Sequence, residues 1–361
     1  MITKVQVNNR MKGSILGGAI GDALGYPVEF IPSFVSIQRE YGERGITRLD
    51  VTWASDPYHR KSSAGSHSLA AKAVVSDDTQ MTLFTALGLA NAERTHTPYL
   101  ERIREAYLEW LLTQADCPQH DCQCWIAELP ELNQQRAPGT TCIDSLVNLL
   151  HKKEVCNTSK GCGGVMRIAP IPLFFQAHHP EMPIEDVDRL AADASAITHL
   201  HPLGYIPSAF LSHLIYRLVE NPSPTKLDYI AYIREGLKTM DELYPQHQAH
   251  VNQLRMLIDE AIAFAATSDD SVTVIEQHLG GGWVAEETVT IAVYCSLKFF
   301  DNFEEALIAS VNHGGDSDST GAVTGNILGA VIGYDKLPQH FKDDVELHDV
   351  ILKVVEDIEI K

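Results

Sequence analysis

Apolar residues recur at three- and four-residue spacing along most of this chain, the pattern of helices that bury one face. The spacing predicts helices over 9–26, 79–93, 98–114, 186–198, 205–219, 228–240, 249–267, 285–297, 303–311 and 319–333. Alternating strand patterns are few and short, so the expected fold class is all-α, with long functional loops between helices. Pro27, Pro32, Pro57, Pro138, Pro170, Pro172 and Pro202 are read as points where helices stop.

Two of the predicted helices carry glycine at every fourth position: Gly13, Gly17, Gly21 and Gly25 in the first, and Gly321, Gly325, Gly329 and Gly333 in the last. A helical glycine costs about 1 kcal/mol relative to alanine, so eight of them need a compensating gain, and close backbone packing supplies one. A membrane reading fails. Asp22 and Glu29 interrupt the first stretch, and the second holds only about fourteen apolar or small residues where roughly 20 are needed. The segment from Tyr41 to Val75 has weak periodicity and reads as an extended loop, a lid over a site or a partner-contact surface. With no repeat and no linker-like stretch, the chain is expected to form one domain over 1–361, its core at about 12–333.

Candidate chemistry sits in two acidic clusters far apart in sequence, Ser76-Asp77-Asp78-Thr79 and Gly314-Gly315-Asp316-Ser317-Asp318-Ser319. Carboxylates and hydroxyls are hard oxygen donors that suit Mg²⁺, Mn²⁺ or Ca²⁺. Each cluster also has an ordinary reading. Asp77 with Gln80 makes a capping box for the helix that follows, and the second cluster makes a solvated turn. An EF-hand is excluded, because the loop position that requires a bidentate glutamate falls on Ile327. The glycine-rich run Gly161-Cys162-Gly163-Gly164-Val165-Met166-Arg167 can turn N–H groups toward an anion, yet lacks the Lys-Ser/Thr ending of a P-loop. His199 and Glu29 each fit a site or a structural role. Cys117, His120, Cys122 and Cys124 lack the spacing of a structural zinc site and read as surface thiols.

Composition narrows the partners. A formal charge of −20 over 361 residues argues against nucleic-acid binding, which depends on basic patches, and 45% hydrophobic residues can fill a sizeable core. An anionic ligand would need local neutralisation. The first residues lack a signal-peptide pattern, and seven scattered cysteines read as reduced thiols, so a cytoplasmic protein without membrane association is expected.

The order of the motifs is more specific than any one of them: Gly21-Asp22-Ala23-Leu24-Gly25 with Glu29, then Ser76 to Gln80, Arg136-Ala137-Pro138-Gly139-Thr140, Gly161 to Arg167, Thr198-His199, and Gly314 to Ser319. The series resembles the ADP-ribosylglycohydrolase family, related to the dinitrogenase reductase activating glycohydrolase, and runs from about Lys12 to Gly333. The resemblance implies a compact helical fold with two Mg²⁺ or Mn²⁺ ions at the base of a cleft for ADP-ribose. It makes Ser76, Asp77, Asp78, Asp316, Asp318 and Ser319 metal ligands, with Glu29, Asp77 and Asp316 as catalytic groups. It gives Gly161, Cys162, Gly163, Gly164, Val165, Met166, Arg167, His199, Gly314 and Gly315 to substrate binding. Ser76 and Ser319 stand where threonine is common, and the stretch between Glu29 and Ser76 is longer than usual. The implied reaction is hydrolysis of the bond between ADP-ribose and a protein side chain, arginine before serine. Alternative readings are an immunity-type protein that blocks a toxin ADP-ribosyltransferase through the 41–75 insert, and a two-metal nucleotide phosphohydrolase.

Overall fold

In the computed structural model, which describes residues 3–53, 71–115 and 122–359, all ten predicted helices form, with their ends shifted by a few residues. The helices in chain order begin with α1 (Lys4–Gly25), α2 (Phe34–Tyr41), α3 (Asp77–Thr95), α4 (Tyr99–Thr113), α5 (Thr140–Leu150) and α6 (Pro170–His178). Next come α7 (Ile184–Ala196), α8 (Pro202–Glu220), α9 (Lys226–Leu243), α10 (Gln248–Ala265) and α11 (Ser271–Val274). The last are α12 (Ala285–Lys298), α13 (Phe303–Val311), α14 (Ser317–Ile332), α15 (Gln339–Asp344) and α16 (His348–Ile358). Among the described residues there is no strand beyond two isolated bridges, Ala73 with Val345 and Gly161 with Val284. The all-α expectation holds.

Two of the prolines read as stops are starts. Pro170 and Pro202 open α6 and α8, where the missing proline N–H would have had no intrahelical partner in any case. The C-terminal α16 was not expected, although Ile351, Val354, Val355 and Ile358 bury one face at helical spacing.

The glycine stripes meet. α1 and α14 run antiparallel in backbone contact, Gly13 facing Gly329 and Gly25 facing Ser317. A Cβ on Gly21 would lie 2.0 Å from the Gly321 carbonyl oxygen, and one on Gly325 would lie 2.0 Å from the Gly17 carbonyl oxygen. No side chain fits there. Between the stripes Ser14 Oγ donates to the Asn326 carbonyl at 2.8 Å, and Asn326 Nδ2 returns a bond to the Ser14 carbonyl at 2.9 Å. Buried backbone carbonyls are thereby satisfied across the interface. From Gly13 to Gly25 every residue of α1 is buried, as expected of a helix enclosed on all sides.

The insert is tied down at its first end. The Asn312 side chain accepts the Ile46 N–H at 2.9 Å and donates to the Ile46 carbonyl at 2.8 Å, and Trp53 sets its ring edge-on to Tyr26 at 4.8 Å. The rest of the predicted lid, residues 54–70, lies outside the described residues, as do Cys117 and His120.

Gly21→Ala tests the backbone contact. Alanine gains about 1 kcal/mol of helix propensity, so any net loss reports the clash. We expect a net loss of about 2 kcal/mol or more in urea denaturation, at the upper end of overpacking costs. An unchanged or raised midpoint would show that the helices part freely.

Candidate metal centre

The antiparallel contact brings the C-terminal end of α1 to the N-terminal end of α14. Glu29, just past the 3₁₀ turn Tyr26–Val28 that extends α1, thus meets Asp316 and Asp318. One carboxylate oxygen from each of the three lies within 4.8 Å of the others, and all three residues are buried. The first acidic cluster, at the start of α3, lies near enough for the charge of Asp318 to act on Asp77 and Asp78, although among the described residues only Glu29, Asp316 and Asp318 bring carboxylate oxygens within 4.8 Å of one another.

The cap of α3 is shared between the local Ser76 and a residue from elsewhere. Asp22 of α1 accepts the N–H groups of Ser76 (2.9 Å) and Thr79 (3.1 Å) and also the Thr79 hydroxyl. Ser76 Oγ accepts the Asp78 N–H at 3.2 Å. The capping box expected of Asp77 and Gln80 therefore does not form. The Gln80 side chain instead accepts Trp110 Nε1–H and Gln114 Nε2–H at its Oε1. Relieved of capping, Asp77 and Asp78 present their carboxylates to the centre.

A second loop grips Asp77. The Arg136 carbonyl accepts the Asp77 N–H at 2.9 Å, and the Gly139 N–H donates to Asp77 Oδ2 at 3.2 Å. Between them Ala137 sits at φ 54, a left-handed conformation that costs a residue with a Cβ about 1 kcal/mol or more. Arg136 anchors the loop by its ion pair with Glu346 at 3.3 Å. Glu346 also accepts the Val75 N–H at 2.8 Å and so fixes the approach to Ser76.

Electrostatics decides what this arrangement needs. Two carboxylates 4–5 Å apart repel by roughly 3–4 kcal/mol at an effective dielectric near 20, so three such pairs reach roughly 10 kcal/mol. That rivals the whole folding free energy of a domain. Burial first, and then Asp318, Asp316, Asp77 and Asp22, push the Glu29 carboxyl up to about 12. Burial and Asp318 hold Asp77, Asp78 and Asp316 well above the usual carboxylate range, and they raise Asp22 to about 7. Glu29 Oε2 and Asp78 Oδ2 are buried with no hydrogen-bond partner. An all-oxygen donor set of this kind fits a hard divalent cation, which would neutralise the repulsion and occupy the unpartnered oxygens.

The residues expected to bind substrate divide. Cys162 reaches the centre, its thiol donating to Asp316 Oδ2 at 2.7 Å, and the Ser319 N–H donates to Asp318 Oδ1 at 2.9 Å. The expected N–H cradle is largely engaged within the protein. Gly161 N–H donates to Ser159 Oγ, Cys162 N–H to the Trp283 carbonyl, and the Val165 and Met166 N–H groups to the Cys162 carbonyl. Gly163 packs on Cys142 and His199, and Gly164 on Gly204 and Ser195. Val165 and Met166 are core residues.

Arg167, expected to face a ligand, is instead fully buried. It lies over the Tyr107 ring at 4.2 Å and donates to Thr198 Oγ1 at 2.7 Å and to the Ala194 carbonyl. The Thr198 hydroxyl in turn lies 2.9 Å from His199 Nδ1. Burial and the nearby Arg167 charge push His199 down to about 3, so the ring is neutral, and a Thr198 O–H donated to Nδ1 places its proton on Nε2, beside Gly161 and Gly163.

Gly314 and Gly315 are spacers rather than exposed donors. A Cβ on Gly314 would lie 2.3 Å from the Pro32 carbonyl oxygen, and one on Gly315 would lie 2.0 Å from that of Gly281. Their N–H groups bond Glu276 Oε1 and the His313 carbonyl. Sequence reasoning gave no part to Asp22 or to Trp283, whose setting Gly280-Gly281-Gly282-Trp283 was the available signal.

Fold and site together define an all-helical protein built around a buried, oxygen-lined acidic centre. The chain belongs to the ADP-ribosylglycohydrolase family, whose pattern matches residues 3–361. It is 24% identical to the ADP-ribosyl-(dinitrogen reductase) glycohydrolase of Rhodospirillum rubrum, over 96% of this chain and 93% of that protein. It is 26% identical to ADP-ribosylhydrolase ARH3 of Bos taurus and 25% identical to that of Homo sapiens, in each case over 52% of this chain. The chain thus spans about half the length of these ARH3 relatives, 54% of each. The fold matches a solved ADP-ribosylglycohydrolase-related protein complex with a TM-score of 0.61 at 21% identity, covering 98% of both chains. No helix among the described residues is long and apolar enough to cross a membrane.

The repulsion argument predicts two signs. Mn²⁺ or Mg²⁺ at a hundred times its dissociation constant should stabilise the wild type by about 2.7 kcal/mol, read as a raised unfolding midpoint in calorimetry. Metal-free Asp318→Asn should melt above metal-free wild type and lose the metal response. A wild type indifferent to both ions would remove the metal centre from consideration.

Proposed function

We propose that the protein is a divalent-metal-dependent ADP-ribosylglycohydrolase that frees a protein side chain, arginine before serine, from ADP-ribose. The buried set Glu29, Asp77, Asp78, Asp316 and Asp318, in a chain of this family, carries the reading. Two Mg²⁺ or Mn²⁺ ions held by Ser76, Asp77, Asp78, Asp316, Asp318 and Ser319 would supply charge stabilisation and a lowered water pKa. The names of the relatives, hydrolases of ADP-ribosyl linkages, support the substrate class. We read residues 1–361 as one domain and the protein as cytoplasmic.

The chain's own groups have distinct tasks in this reading. Asp22 and the 136–139 loop hold Asp77 at a fixed position, so orientation need not be recovered at each turnover. Hydrolysis adds a water oxygen to C1″ of the ribose and a proton to the leaving nitrogen or oxygen. Glu29 keeps its proton while the neighbouring carboxylates are unneutralised; with their charge balanced in the loaded site it would ionise, take the water's proton and return it to the leaving group. His199 Nε2–H offers a neutral donor beside the glycine loop for an oxygen of the nucleotide.

Release of ADP-ribose from arginine- and serine-linked ADP-ribosylated peptides, followed by mass spectrometry, tests the proposal. Asp316→Asn should lower kcat by about a hundredfold or more with the fold retained, and chelation of the wild type should do the same. AMP and ribose 5-phosphate as products would instead mark a phosphohydrolase. Full turnover by chelated Asp316→Asn would refute the metal-dependent reading.

A further inference from the structure

The acidic centre accounts for the buried carboxylates, but not for two aromatic side chains left in solvent beside it. Phe30 is 68% exposed and Trp283 45% exposed. Their rings stack with centroids 6.1 Å apart and planes 28° from parallel. A single exposed apolar residue needs no explanation. Here two, from distant parts of the chain, meet at the rim of the same site. Phe30 directly follows Glu29. Trp283 is fastened to the other side of the centre, since its carbonyl accepts the Cys162 N–H at 3.2 Å and the Cys162 thiol bonds Asp316. Two residues earlier, the Gly281 carbonyl accepts the Asp316 N–H at 2.7 Å. The aromatic pair is therefore anchored to the same backbone segments as Glu29 and Asp316.

We propose that Phe30 and Trp283 form the subsite for the acceptor side chain, and that it takes the planar guanidinium of an ADP-ribosylated arginine. This rests on the glycohydrolase reading above and extends it to substrate choice. An aromatic face attracts a cation, and a guanidinium adds plane-on-plane contact that a serine cannot offer. The guanidinium keeps its plane and charge when one nitrogen carries the sugar. Carboxylates behind the pair add attraction for a cation and repulsion for the anionic nucleotide, so charge favours the acceptor over the diphosphate end at this position. The ledge also adjoins Glu29, the residue placed to serve the leaving group.

The test uses the full chain and a probe that needs no turnover. Agmatine, a free guanidinium on a short apolar tail, is titrated by calorimetry into wild type, Phe30→Ala, Trp283→Ala and Phe30→Tyr, with free ADP-ribose titrated in parallel. Each alanine variant should weaken agmatine binding about tenfold and raise KM for the arginine-linked peptide similarly, while Phe30→Tyr keeps both. Affinity for ADP-ribose and KM for a serine-linked peptide should stay within about twofold of wild type. Agmatine binding equal in wild type and both alanine variants, or absent from wild type, overturns the proposal. So does a tenfold loss of ADP-ribose affinity, which gives the ledge to the nucleotide, or a wild type that cleaves serine-linked peptides alone. Failure of the underlying reading looks different: no ADP-ribose is released from any substrate, while agmatine still distinguishes wild type from the variants.

Discussion

Everything at the candidate centre depends on how closely two helices approach. Because Gly13, Gly17, Gly21 and Gly25 lie directly on Gly329, Gly325, Gly321 and Ser317, the α1 and α14 backbones touch with no side chain between them. A wider spacing would draw Glu29 and Asp22 away from Asp316 and Asp318, since both pairs sit at the ends of these same helices. The unfavourable helix propensity of the seven stripe glycines that lie within these helices, about 1 kcal/mol each, is thus tied to the geometry of one site. The reciprocal Ser14–Asn326 bonds add register, because both close only when the helices are aligned as observed.

That register concentrates negative charge where the protein interior tolerates it least. Both clusters begin helices, Asp77 and Asp78 in the first turn of α3 and Asp318 in that of α14. The positive end of a helix offsets only about 0.3–1 kcal/mol per carboxylate, however, against roughly 10 kcal/mol of mutual repulsion in the Glu29–Asp316–Asp318 group alone. Protonation could relieve the charge, but it would leave buried oxygens of Glu29 and Asp78 without hydrogen-bond partners. A hard cation removes both costs together. The scaffold uses groups that do not titrate: the Gly139 N–H holds the Asp77 carboxylate, and the Arg136 carbonyl and the Ser76 hydroxyl fix the backbone N–H groups of Asp77 and Asp78.

Much of this was legible in the sequence, and the omissions have physical causes. Helical periodicity reports burial of one face, so the ten long amphipathic or fully buried helices were readable. α6 escaped because Pro170 and Pro172 look the same whether they end a helix or start one. The glycine stripes announced close packing but not the partner. Asp77 was ambiguous between cap and ligand because the N-terminus of α3 is capped by its neighbour Ser76 together with Asp22, which lies 54 residues before Ser76 and is invisible to any local window. The glycine-rich run from Gly161 to Arg167 suggested free N–H donors, and only the tertiary structure shows which acceptors engage four of them. The family resemblance gave Arg167 to substrate binding with the rest of its loop, whereas its surroundings of Tyr107, Thr198 and Cys142 make it a buried support for His199.

The charge of the whole molecule then takes on a direction. A −20 protein would repel ADP-ribose at long range, so in the proposed reading the nucleotide would gain its affinity only at short range, where a bound cation would reverse the local sign. The same field draws an arginine-bearing acceptor toward the surface, and long-range attraction of this kind acts on encounter more than on final affinity. The two ends of the proposed substrate therefore meet opposite electrostatics within one site. The cation-dependent interior suits the ribose and diphosphate, and the acidic, aromatic rim at Phe30 and Trp283 suits the guanidinium. The bond between ribose and guanidinium lies at the boundary, which is where Glu29 stands.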